Sequence, residues 1–170
     1  MLSKVLLAAV IGLATSACST IPCQTGPAND VVAVKAVVER FRVAIVERDK
    51  PAYMSLFFSG KPEEIGWQAV VDDAQLRAVQ LNRPQAIKAR RIPTNNFVSL
   101  IDGIIANAAA DEERIGNVCV TTDGEVASAV FDYAYVSVGQ ATNRGSEHWQ
   151  LVRAEVGWKI YSVIYSIRNP

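Results

Sequence analysis

Histidine is almost missing: His148 is the only one in 170 residues, which removes every metal site built on a histidine pair, H-E-x-x-H included. The ten glycines never fall in the spacing of a phosphate-cradling loop, and no G-x-S-x-G elbow is present. Three cysteines, Cys18, Cys23 and Cys119, show neither CxxC nor Cys/His ligand spacing, so no metal site and no cofactor is implied. Neither sign of charge prevails. Lys plus Arg number 17 and Asp plus Glu 17, which argues against a nucleic-acid partner held by a basic surface. Apolar runs long enough for a transmembrane helix are missing as well. What remains is 50% hydrophobic and 20% charged, enough for one packed domain and too apolar for wholesale disorder.

The N-terminus reads as an address. Lys4 precedes ten uncharged, mostly apolar residues, Val5 to Ala14, followed by Thr15, Ser16, Ala17 and Cys18. A positive start, a short apolar stretch and a small-residue exit make residues 1–17 a secretory signal peptide. A cysteine after a small residue resembles the bacterial lipoprotein box, which implies acylation of Cys18 and a lipid anchor on the periplasmic side of the cell envelope. Thr15 departs from that box, where Leu is usual, so ordinary cleavage after Ala17 and secretion is the alternative. Residues 18–29 read as a tether and residues 30–170 as the domain, with a mature charge of 16 − 17 = −1. In an oxidising compartment Cys23 and Cys119 can pair; otherwise Cys119, between Val118 and Val120, is a small buried hydrophobe.

Asn29 or Asp30 is positioned to cap a helix carrying Val34, Val37, Val38, Phe41, Ala44 and Ile45 on one stripe. Asp49 caps a second, short helix with Pro51 in its first turn. Ile65 to Val71 reads as a short strand holding Trp67, and Asp72 or Asp73 starts another helix. Phe97, Leu100, Ile101, Ile104 and Ile105 make the sharpest helical pattern. From Glu113 the period becomes two. Strands are expected over Arg114–Thr121, Glu125–Val138, Ser146–Arg153 and Trp158–Ile167, with a polar loop from Gly139 to Gly145. Helices followed by consecutive strands predict an α+β domain with N-terminal helices packed on a curved antiparallel β-sheet.

A hairpin turn at 154–157 pairs Leu151 with Ile160 and Trp149 with Ser162. Trp149, Leu151, Trp158, Ile160, Ser162 and Ile164 then face the helices, and His148, Gln150, Val152, Lys159, Tyr161, Val163 and Tyr165 face away. The second set is rich in Tyr and Val, which predicts a cover for the outer face. A second copy of the chain is the expected cover, giving a homodimer.

The element order, with Glu147-His148-Trp149-Gln150-Leu151-Val152-Arg153 and then Gly157-Trp158-Lys159-Ile160, resembles the nuclear transport factor 2-like superfamily. That superfamily includes ketosteroid isomerase-like and polyketide cyclase-like domains, and its small exported bacterial members are the nearest in pattern, over about Asp30 to Ile167. The resemblance implies a cone whose sheet wraps a long helix, with a pocket at the wide end. It carries no particular activity, because no enzyme's catalytic set maps onto this sequence residue by residue.

Asp132, a carboxylate between Phe131 and Tyr133, is the leading catalytic candidate if it faces the pocket, where desolvation would raise its pKa. His148 could pair with it, although the hairpin register puts His148 on the outer face. Tyr53, Tyr133 and Tyr135 are candidate hydroxyl donors, and Trp67, Trp149 and Ser162 further pocket residues. The expected function is binding of a small, largely apolar molecule, or service as an accessory envelope module. The alternatives are an isomerase or dehydratase with Asp132 as base, and a domain that binds a protein partner.

Overall fold

A computed structural model describes residues 23–89, 91–107 and 109–170. The signal peptide and Cys18 therefore lie outside the described residues. Four α-helices occur among them: α1 Ala28–Glu47, α2 Lys50–Ser55, α3 Asp73–Gln80 and α4 Phe97–Ala106. The strands are β1 Gln24–Thr25, β2 Gly66–Val71, β3 Asp111–Thr122, β4 Val126–Ser137, β5 Gln140–Ala154 and β6 Gly157–Ile167. They form one open mixed sheet in the order β1-β3-β4-β5-β6-β2.

The stripe read for α1 is buried as expected, from Val34 at 0% exposure to Phe41 at 1%. Its cap differs. Pro27 takes the N-cap position, and Asp30 instead bonds the guanidinium of Arg153, which also lies over the Trp158 ring. Asp49 and Asp72 cap α2 and α3 by accepting the backbone N–H of Ala52 and Gln75. Asn96 caps α4 in a reciprocal box with Ser99. On α4 Phe97, Ile101 and Ile104 are buried while Ile105 is exposed, so the apolar stripe is one residue narrower than the sequence suggests.

Three features of the sheet depart from the sequence reading. The loop expected over 139–145 is a two-residue turn, Val138-Gly139, with φ of 51° and 76°. Positive φ at both positions is the geometry that suits a tight hairpin between right-twisted strands. β4 and β5 therefore run on to Ser137 and from Gln140. Second, β2 adds in parallel to β6, so the meander gains an edge strand that carries Trp67. Third, β6 is bulged: Leu151 pairs with Ile160 but Gln150 pairs with Ser162, leaving Tyr161 without an opposite number. Beyond it the faces exchange. Trp149 pairs with Val163 rather than Ser162, Val163 is buried and Ile164 is 51% exposed. The expected placing of Ser162 and Ile164 inside is thereby corrected.

Cys23 and Cys119 are joined by a disulfide, with 96 residues of sequence separation. It fastens the segment before α1 to β3, beside the parallel β1–β3 pair. The core between α1 and the sheet is aromatic. Trp149 meets Phe41 and Phe131 edge-on, with centroids 4.9 and 5.0 Å apart, and Tyr53 lies 5.1 Å from Phe41.

Candidate functional site

Three acids of the sheet are buried, Asp111, Glu113 and Glu147, and two of them, Glu113 and Glu147, line a cavity on its concave face. Glu147 lies two residues before Trp149 on β5 and is 5% exposed; Glu113 on β3 is 3% exposed. β4 runs between their strands and contributes Tyr133 and Tyr135 to the same face. Together with Trp67, Leu100, Asn143, Tyr165 and Ile167 they line a cavity of about 270 Å³. Its wall is thus built from β2, β3, β4, β5, β6 and α4.

The polar groups of this wall are unevenly provided for. The indole N–H of Trp149 donates to Glu147 Oε2 at 2.5 Å. Tyr133 reaches across β5 and donates its hydroxyl to the Ser166 carbonyl at 2.9 Å. It can do so because Gly145 lies opposite it, where a Cβ would stand 1.9 Å from the Ser166 oxygen. Glu113 Oε1 is buried and has no hydrogen-bond partner. The same holds for the hydroxyl of Tyr53, which is fully buried behind the aromatic core.

Burial governs the electrostatics. Loss of solvent pushes the Glu147 carboxyl from 4.5 up to about 7, against the opposing pull of the Trp149 indole. Glu113 is pushed well above the ordinary carboxylate range, first by burial and then by the charge of Glu147. The two cannot both be ionised cheaply, so near neutral pH the pair holds at least one proton. Burial and the neighbouring Asp111 raise the Tyr135 hydroxyl to about 12, and burial raises Tyr133 and Tyr165, so all three phenols stay protonated. Such a wall offers one carboxyl as proton donor and one as acceptor. Among the described residues, no group of three or more His, Cys, Asp or Glu could hold a metal ion.

Of the residues singled out from sequence, Trp67, Tyr133 and Tyr135 line this cavity. Tyr53 and Trp149 are core residues beside it rather than part of its surface. Ser162 stands on the other side of the sheet with its Cβ against Gly66. Asp132 does not face the pocket: it is exposed on the convex face, where its carboxylate accepts from the Asn117 side chain at 2.8 Å. His148, opposite Val130 on β5, shares that face and is exposed, as the hairpin argument expects. The structure thus places both catalytic candidates outside the cavity. The acids that line it, Glu113 and Glu147, were not proposed from sequence.

No family model and no curated protein matches this chain. Solved structures do. An NTF2-like protein with a cystatin-like fold from Novosphingobium aromaticivorans aligns at a TM-score of 0.57 and 16% identity, over 82% of each chain. An NTF2-like protein of unknown function from Shewanella baltica gives 0.54 and 18%, over 84% of this chain and 96% of that one. A dehydratase candidate of the NTF2-like family from Streptomyces avermitilis gives 0.56 and 17%, over 84% and 98%. At these identities the likeness is one of architecture: the chain has the NTF2-like, cystatin-like α+β cone fold.

Proposed function

We propose that the cone binds a small, largely apolar molecule in the Glu113–Glu147 cavity. The observation that carries this reading is the cavity itself: about 270 Å³ walled mainly by Trp67, Leu100, three tyrosines and Ile167, with two carboxyls set among them. Fluorescence titration with 2-naphthol tests it. Saturable one-to-one binding is expected, lost when Leu100→Trp fills the cavity. A flat titration, or equal binding by the variant, overturns the reading.

A second reading is favoured by the carboxyl held at about 7 next to a still more reluctant one. An acceptor near neutral pH beside a protonated donor suits proton transfer of the isomerase or dehydratase type. In the isomerase case Glu147 would take a proton from the carbon next to a carbonyl and return it two carbons further on. Conversion of 3-cyclohexenone to the conjugated enone, followed by ultraviolet absorbance and abolished by Glu147→Gln, is the corresponding assay. Absence of any rate above buffer leaves binding alone.

Export and anchoring belong to the same proposal. The Cys23–Cys119 bond fits an oxidising compartment, and the lipoprotein-like run ending at Cys18 supplies the anchor. Mass spectrometry of the mature N-terminus, with Cys18→Ala as control, decides between a diacylglycerol adduct and simple cleavage. The convex face, with Tyr161 47% and Ile164 51% exposed beside His148 and Asp132, is the proposed homodimer surface. Analytical ultracentrifugation giving a monomer at high concentration would refute it.

A further inference from the structure

The ligand's charge can be read from what the cavity lacks. Its lining holds two carboxyls, and no Lys, Arg or His among the described residues belongs to it. Of the lining donors, the Tyr133 hydroxyl is committed to Ser166 and the Asn143 amide bonds Thr142 at 3.3 Å, while the Trp67 indole N–H is buried without a partner; the Trp149 indole, behind the wall, donates to Glu147. Of the carboxyl oxygens, Glu113 Oε1 is buried inside the wall with no hydrogen-bond partner. A polar oxygen buried without a partner is unfavourable, and a ligand that bonds it relieves that cost. The remaining walls are the rings of Trp67 and three tyrosines together with the aliphatic Leu100 and Ile167. Tyr165 sits edge-on between Trp67 and Tyr133, with centroids 5.6 and 6.3 Å away, so negative ring faces and carboxylate oxygens border one space.

We propose that the ligand of this cavity is a small organic cation, a protonated amine on an apolar body, whose N–H groups bond Glu113 and Glu147 and whose charge lies against the rings. This rests on the small-molecule reading above and narrows it. The groups facing the two acids are Asp111 beside Tyr135 on β3, Tyr133 and Tyr135 on β4, Tyr165 on β6 and Tyr53 on α2; α1 and α4 present only apolar side chains there. None of these is cationic. A cation entering the cavity therefore expels the proton that the carboxyl pair holds, and the charge of the site stays balanced.

Isothermal titration calorimetry on the full chain, with benzylamine, benzyl alcohol and benzoate as probes, tests this. Benzylamine should bind tightest, with affinity rising about tenfold from pH 5.5 to 6.5 and about one proton released per ligand, read from buffers of different ionisation enthalpy. Benzyl alcohol should show no such rise, and benzoate should not bind. Glu113→Gln should cut benzylamine affinity at least about tenfold while sparing benzyl alcohol. Benzyl alcohol binding as tightly as benzylamine, or benzylamine weakening as pH rises, overturns the cation assignment and leaves the small-molecule reading intact. Failure of all three probes overturns both. The pH series needs no variant, so it stands even if Glu113→Gln does not fold.

Discussion

Glu147 and His148 are neighbours in sequence and opposites in circumstance. The first is sealed into the concave face, donated to by an indole and pushed up to about 7; the second stands in solvent on the convex face. The same contrast separates Glu113 from Asp132. Glu113 is buried with an oxygen unpartnered, whereas Asp132 is exposed and satisfied by Asn117 at the β3 bulge. One sheet thus carries two acids that burial has made chemically unusual and one that serves its own backbone irregularity. Residue type does not separate them; the side of the pleat does.

The sharpest way to break the contrast is to truncate on one face and then the other. Trp149→Ala should cost about 3–5 kcal/mol, because it empties the contact with Phe41 and Phe131 and strips Glu147 of its donor. The adjacent His148→Ala should stay within about 0.5 kcal/mol. Urea denaturation of both reads the difference directly.

A pH titration of stability comes next in size. Both buried carboxyls are harder to ionise folded than unfolded, so the folded chain holds extra protons. The Glu147 contribution is fully present below about 4.5 and is lost as pH rises through about 7, and that of Glu113, pushed well above the ordinary range, is lost at higher pH. For Glu147 alone the loss is on the order of 3 kcal/mol. Thermal melts between pH 5 and 8 should show this fall, and Glu113→Gln with Glu147→Gln should flatten it. A profile unchanged in that double variant would refute the assignment. On the convex face Asp132→Asn should alter stability by about 1 kcal/mol or less.

Gly145 offers a finer test, because it leaves room for the Tyr133 hydroxyl to reach the Ser166 carbonyl. Gly145→Ala should cost roughly 1–3 kcal/mol by driving a methyl into the Ser166 carbonyl. It should also free the Tyr133 hydroxyl from that oxygen, visible as a change in the tyrosine's ultraviolet difference spectrum.

Much of this architecture was legible in the residues. The helical stripes of α1 and α4, the cap Asp49, a helix start at Asp72 or Asp73, and the period-two run from Glu113 all have local causes, and local causes survive into the fold. The site was less legible for reasons that can be named. Val120 is fully buried, and strict alternation back from it puts Glu113 outside. The irregularity between Gly116 and Cys119, with Asn117 at φ 55°, reverses the faces and brings Glu113 in. A second bulge at Tyr161 exchanges Ser162 for Val163 in the same way. Glu147 is different: its shared face with Trp149 and Leu151 was available from spacing alone, and an acid alternating with two core residues is the signal that identifies it.

The disulfide that ties Cys23 to β3 also decides how the molecule hangs. A pull applied at Cys23 passes through that bond into β3, next to the β1 edge of the sheet, as well as along the chain into α1. For an acylated Cys18 the leash from residue 18 to residue 23 is five links, at most about 18 Å when taut. A tether of that length would limit only how far the Cys23–Cys119 junction can stand from the anchored residue.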